Sequence, residues 1–296
     1  MEPLVQSEHS GDSFSEKGFK STYIETEIDG ERIGLTLWDS AGLEPGLVDL
    51  QLRETVGFIE SKFTETFTEE NKVVRAPGIR DTHIHCVFLL LDPARLTPGN
   101  HYSSKSATNK LGGLDRNLDI SVLKALHGKT VVIPIISKAD TCTSKHMDHL
   151  KELVRKGLYM ANEDPLESLE LESDDEETPV AASKGKRGSL AEEDEDEYYG
   201  SGSHGLHARA GLSKMPAGLN FIPLSIISPD SYDPSEPLGR HFPWGFADPY
   251  NETHCDFIRL RDSVFSEWRA ELREKSRECW YESWRSDRLE YGRRRS

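Results

Sequence analysis

Three short apolar runs restrict what this chain can fold into. They are Val87 to Leu91 (VFLLL), Thr130 to Ser137 (TVVIPIIS) and Asn220 to Ile227 (NFIPLSII). None approaches the ~20 apolar residues needed to cross a bilayer. Each is apolar at consecutive positions, the pattern of a strand covered on both faces. Between them, Leu118, Val122, Leu123 and Leu126, then Met147, Leu150, Val154 and Leu158, recur at helical spacing. Strands alternating with amphipathic helices define an α/β fold with a largely parallel sheet. Ligands of such sheets sit at the carboxyl ends of the strands.

Upstream, Ile24 and Ile28 are separated from Ile33, Leu35 and Leu37 by Asp29-Gly30. Asp-Gly between two such runs predicts a β-hairpin, because the turn needs positive φ. The second run ends in Trp38, Asp39-Ser40-Ala41-Gly42. Leu52, Val56, Ile59, Phe63 and Phe67 then predict a helix, and His83 to Asp92 a strand buried on both faces. After Pro229 the alternation stops. A loop rich in proline and aromatics leads to Asp256–Phe265 and a charged helix from about Ser266 to Arg288.

The 296 residues carry a net charge of −16, which excludes the basic footprint of a general nucleic-acid binder. Fifteen acidic and three basic residues fall between Glu163 and Glu197, so that block carries most of the excess. A segment this acidic and poor in aromatics cannot bury enough apolar surface to fold. The expected organisation is a polar N-terminal segment (1–20), a folded domain made of 21–160 and 216–296, and a disordered acidic insert (161–215). Four cysteines with no CxxC pair exclude a disulfide scaffold or zinc ribbon. Residues 1–20 lack the apolar core of a secretory signal, so the expected location is cytoplasmic.

Two polar motifs fall at strand ends. Asp39 and Gly42 form DxxG after the hairpin, and Ser137-Lys138-Ala139-Asp140 follows the second apolar run. An Asp after a strand can hold Mg²⁺ through water, and the Gly can offer its N–H to a γ-phosphate. A strand-end Lys can lay its stem along a purine. An Asp two residues later can accept two N–H bonds from guanine, which adenine does not supply. Taken singly, each motif has a bland reading; Asp140 would serve equally as a helix N-cap. In this order after these strands, they point to a GTPase-derived fold binding GTP or GDP.

The wider chain resembles the septin family. Arg80-Asp81-Thr82-His83-Ile84-His85-Cys86 is similar to the septin P-D-T-R-V-H-C. Leu118-Asp119-Ile120, then Leu126-His127-Gly128-Lys129 and Ser137 to Asp140, resembles L-D-I…L-H-x-K…A-K-A-D. Arg240-His241-Phe242-Pro243-Trp244-Gly245 resembles R-x-Y-P-W-G. His254 to Arg261 resembles H-C-D-F-x-K-L-R, and Tyr281-Glu282-Ser283-Trp284-Arg285 resembles Y-E-x-Y-R. The last three belong to the septin unique element, here from about residue 229.

The resemblance implies a P-loop-NTPase-like (Ras-like) three-layer sandwich with a mostly parallel sheet. It implies a GTP-binding subunit of filaments at the cell cortex or division septum, partnered by other septin subunits, with membrane contact at most peripheral. Lys138 and Asp140 would select guanine, and Ser228, where septins read Gly, would lie by the base. Arg240 would lie near the base and ribose. Asp39 would hold Mg²⁺, Gly42 would face the γ-phosphate, and Trp244 would sit in the nucleotide-side interface.

The chain also departs from the pattern. No G-x-x-x-x-G-K-[ST] occurs in it, and Gly128-Lys129-Thr130 lies where a helix enters a strand, the wrong polarity for a phosphate cradle. In septin order the first strand and P-loop would precede the hairpin, so a truncated chain is expected, with an unpaired strand edge on either side of the gap. The alternative is a nucleotide-free scaffold assembling with other septins. Leu43 stands where Ras-like enzymes place the water-orienting Gln. Hydrolysis is therefore expected to be absent or very slow. His83/His85 and His146/His149 lack companion ligands at metal spacing and are expected to be structural.

Overall fold

The computed structural model describes residues 15–16, 18–28, 30–72, 81–97, 113–169, 217–233 and 235–295. Gly30 takes a positive φ of 78° at the turn between β2 (Phe19–Ile28) and β3 (Glu31–Ser40), as a tight hairpin requires. The strands pair antiparallel with Ile24 opposite Leu35 and Thr22 opposite Leu37, and β1 (Ser15–Glu16) adds to the edge of β2. This register puts Ile24, Ile28, Ile33, Leu35 and Leu37 on one face, with Ile24 and Leu37 exposed. The other face starts with buried Phe19, which stacks on Phe58 of α1 (Val48–Glu70) at 4.1 Å.

Helix α1 works in two directions. Leu52, Ile59 and Phe63, spaced seven and four residues apart, are buried in the main core. Phe58 and Lys62 serve the hairpin: Trp38 meets Phe58 edge-on, and the buried Lys62 ammonium lies 4.7 Å from the centre of the Trp38 ring. Lys62 also donates to Glu65 at 2.8 Å. A cation stacked on an aromatic face and ion-paired offsets part of the cost of its burial.

The main core surrounds a parallel sheet of β4 (Cys86–Leu91), β5 (Val131–Ile136) and β6 (Leu224–Ser225), in that order. Every β5 residue is buried, as its continuous apolar run predicts. Strand β4 differs from expectation: Cys86 to Leu89 are half-buried and Leu90 is 58% exposed. The reason is topological. Among the described residues, β4 hydrogen-bonds only to β5 and β3 only to β2, so the sheet is split between them. Among the described residues each therefore has an open edge.

Short α2 (Pro93–Leu96), α3 (Asp119–Leu126) and α4 (Ser144–Ala161) complete this layer. Buried Met147, Leu150, Val154 and Leu158 of α4 match the predicted stripe. The expected strand over Asn220–Ile227 shortens to two residues. Helix α5 (Ala217–Phe221) takes its start, and Pro223 has no N–H to give a ladder. Residues 163–169 belong by composition to the acidic insert, yet Leu166 and Leu169 are buried in the core. Residues 170–215 of the insert and residues 1–14 lie outside the described residues.

The antiparallel β7 (Arg240–Phe242) and β8 (Gly245–Ala247) form a small hairpin. The terminal helical run begins earlier than its charge pattern predicts. It passes through α6 (Phe257–Asp262), α7 (Arg269–Glu274) and α8 (Glu282–Arg295), joined by π-helical turns over 263–267 and 275–281. Its buried side, Leu260, Val264, Trp268, Leu272, Trp280 and Tyr281, belongs to the main core.

Candidate functional site

At the end of β5 the chain turns sharply. Lys138 adopts a left-handed backbone (φ 53°, ψ 42°), rare for a residue bearing a Cβ. The turn is held from both sides. Ser137 N and Oγ donate to the Leu91 carbonyl at the end of β4 (2.9 and 3.1 Å). Ala139 N donates to the Ile226 carbonyl just past β6 (3.0 Å). Thr141 Oγ1 closes back on the Lys138 carbonyl at 2.7 Å. Thr143, not Asp140, caps α4 by accepting from His146 N at 3.4 Å. The bland capping role open to Asp140 is thus filled by another residue.

The Asp140 side chain is 0% exposed. Its Oδ2 accepts from Arg240 Nη1 at 3.0 Å, and its Oδ1 is buried without a hydrogen-bond partner. A buried acceptor left unpaired costs about 1–3 kcal/mol. Arg240 also donates through Nε to Asp230 Oδ1 at 3.1 Å, while Asp230 Oδ2 accepts from His241 N at 2.9 Å. On the other side, Lys138 Nζ donates to Asp92 Oδ2 at 2.6 Å. That bond holds the Asp92 carboxyl below its ordinary pKa. Asp92 Oδ1 also caps α2 through Ala94 N at 2.9 Å.

Lys138, Asp140 and Arg240 are therefore brought together at the carboxyl ends of β4 and β5. Ser228 lies two residues beyond Ile226 and is exposed. Asp39 and Gly42 stand apart, in and after the last residues of β3, on the other side of the split in the sheet. Asp39 is exposed and registers with Lys20. The Gly42 carbonyl accepts from Gln51 Nε2 at 3.1 Å, and Gln51 Oε1 accepts from Glu44 N at 2.8 Å, so α1 clamps the DxxG loop. Among the described residues no hydrogen bond joins this pair to the Asp140 cluster.

The base end fits a purine with adjacent N–H donors, since a shielded carboxylate with one orphaned oxygen is what such an edge would satisfy. No group of three candidate metal ligands occurs among the described residues. Asp39 is an exposed carboxylate near the end of β3. Sequence reasoning did not single out Asp92 or Asp230. The available signal was an Asp directly after an apolar strand for the first. None existed for the second.

Trp244 lies in the β7–β8 turn, 82% exposed and stacked on Phe242 at 5.3 Å. Phe246 and Tyr250 are exposed nearby in the chain.

The septin family profile matches residues 5–187 and 219–296. Human Septin-4 is 25% identical over 267 residues, covering 89% of this chain and 45% of that protein. Cell division control protein 3 of Candida albicans is 22% identical over 294 residues, covering 97% of this chain and 59% of that protein. The chain spans about half the length of these relatives. The crystal structure of the septin GTPase domain from Chlamydomonas reinhardtii superposes with a TM-score of 0.50 at 17% identity, covering 90% of this chain and 80% of that one. The fold is of the P-loop-NTPase-like α/β class. The chain belongs to the septin family.

Proposed function

We propose that the chain binds guanine nucleotide at the Lys138–Asp140 turn and assembles with other septin subunits into filaments at the cell cortex or division septum. The observation that carries this reading is the shielded Asp140 carboxylate with one unpartnered oxygen, at the strand ends where α/β sheets bind ligands. Guanine N1–H and N2–H would take both oxygens, and the Lys138 stem would lie along the ring. Adenine would leave the carboxylate unpaired, a penalty that makes the site discriminate. Asp39 would meet Mg²⁺ and Gly42 the γ-phosphate. No Gly-rich lysine loop occurs in these 296 residues, so affinity within this chain is weak and hydrolysis absent or very slow. The exposed Phe242–Trp244 hairpin and the terminal helical run would supply contacts to neighbouring subunits. No helix among the described residues is long and apolar enough to cross a membrane.

A second reading, a scaffold that uses no nucleotide, is favoured by one observation. Lys138 and Arg240 already have carboxylate partners within the chain. Titration with mant-GDP, followed by displacement with GDP or ADP, separates the two. The nucleotide reading expects displacement by GDP, not ADP, and loss of that preference in Asp140→Asn. Equal displacement by both, or no binding with assembly intact, would overturn it in favour of the scaffold.

A further inference from the structure

We propose that Arg240 is an internal occupant of the base site: its guanidinium holds the carboxylate that guanine would take, so nucleotide binds by displacing it. This rests on the guanine-binding reading above and adds its regulation.

Three features of the geometry carry the inference. First, a guanidinium and the Watson–Crick edge of guanine present the same thing to a carboxylate, adjacent N–H donors on a planar delocalised group. Arg240 Nη1 reaches Asp140 Oδ2 at 3.0 Å, with the arginine side chain 33% exposed and the carboxylate fully shielded. Second, the occupation is incomplete. Oδ1 of Asp140 is buried and unpartnered, so the arginine neutralises the charge without filling the site. A bidentate partner gains the bond that Arg240 does not make. Third, Arg240 has a second anchor. Its Nε is bonded to Asp230 at 3.1 Å, and Asp230 also fixes the backbone at the start of β7 through His241 N. Released from Asp140, the guanidinium stays paired with Asp230, near the surface, and is not stranded.

The latch has a mechanical consequence. Arg240 is the first residue of β7, and its guanidinium lies 5.5 Å from the centre of the Phe242 ring, which stacks on Trp244. The base site therefore holds the exposed aromatic turn by one side chain. Displacement of Arg240 frees the β7–β8 hairpin to move about its Asp230 anchor, linking nucleotide occupancy to the surface that Trp244 presents.

The test uses the full chain with mant-GDP as the probe. Arg240→Ala leaves Asp140 as a shielded carboxylate with no counter-ion and should bind mant-GDP about five- to tenfold more tightly than the unmodified chain, with Arg240→Lys in between. If Arg240→Ala binds equally or more weakly, the arginine is a spectator or a base contact and the proposal fails. A readout without nucleotide keeps the two readings separable. Thermal unfolding of Arg240→Ala, Asp140→Asn and the double variant should show coupling. Amide exchange over 240–247 should quicken in both single variants. If no form binds mant-GDP yet the coupling and exchange effects appear, the guanine reading falls while the ion-pair latch stands as a structural clamp on the hairpin. Absence of coupling overturns the latch whatever binds.

Discussion

His83 Nδ1 lies 3.0 Å from the hydroxyl of Ser276, joining the segment before β4 to the terminal helical run 193 residues away. Its other ring nitrogen lies 3.0 Å from Thr66 Oγ1 of α1. One buried imidazole thus ties three elements together. The reading of His83 and His85 as neighbours on a strand gives way to this: residues 81–85 are irregular, and His85 turns to Asp81 at 3.2 Å.

Burial drives the His83 pKa below 6.5, with Asp81 and Glu70 opposing and His85 and Arg277 assisting. The sign follows from proton binding. Below 6.5 the unfolded chain takes up a proton that the folded one resists, so this contribution is complete above 6.5 and is lost as pH falls through the folded value. Urea unfolding at about pH 7.5 and about pH 5 should show a stability loss on acidification. His83→Gln, which keeps a donor and an acceptor without titrating, should be less stable at the higher pH and show a smaller acid loss. An unchanged slope would remove His83 from the account.

Asp256 joins β6, α4 and the start of the terminal helical run. Its Oδ2 accepts from Ser225 N (2.7 Å), Ser225 Oγ (2.6 Å) and Lys151 Nζ (2.5 Å). Burial would raise its pKa, but the Lys151 and Ser225 bonds outweigh it and the value falls below 3.8. Its stabilisation is therefore complete above 3.8 and lost as pH falls through the lower folded value. Asp256→Ala leaves three donors without an acceptor and should cost about 2–4 kcal/mol by urea unfolding at neutral pH. Asp256→Asn retains an acceptor for Ser225 and should cost less.

Trp244 stacks on its hairpin neighbour Phe242 and is 82% exposed. Trp244→Ala should leave unfolding stability within about 0.5 kcal/mol. If the aromatic turn is an assembly surface, the same change should lower the sedimentation-measured assembly with partner septins, since exposed tryptophans dominate contacts where they bury. A large stability loss with assembly intact would mark it as part of the fold instead.

Gly239 precedes Arg240 where β7 passes close to β8. A methyl group there would overlap the Phe246 ring and the Ala247 carbonyl. Gly239→Ala should destabilise the hairpin by about 1–3 kcal/mol, seen as faster amide exchange over 240–247 with the α4 and β5 amides unchanged.

The α/β class, the Asp-Gly hairpin and both strand-end motifs were legible because local patterns carry them. Val131 to Ile136 reads as a covered strand from its short run of β-branched residues, and Met147 to Leu158 as an amphipathic helix from its three- and four-residue spacing. Asp140 was legible by its place after a strand. Its engagement with Arg240, one hundred residues away, was not, because no local rule says which cation a carboxylate will meet. Asp230 was missed for the same reason, whereas Asp92 carried the same strand-end signal as Asp140 and only its pairing with Lys138 was beyond local reading. The strand expected over Asn220–Ile227 failed because its apolar content suited burial in any backbone form, while Pro223 and the preceding helix decided the form.

The order of residues alone determined where this chain bends, which stretches bury themselves and which short motifs stand at strand ends, since these depend on neighbours within a few positions. Only the three-dimensional arrangement decided that Leu90 of β4 stays exposed, that His83 bridges to Ser276, and that Arg240 closes on Asp140. Those outcomes depend on the free energy of contacts between distant segments, where burial and charge are set by whatever the fold brings alongside.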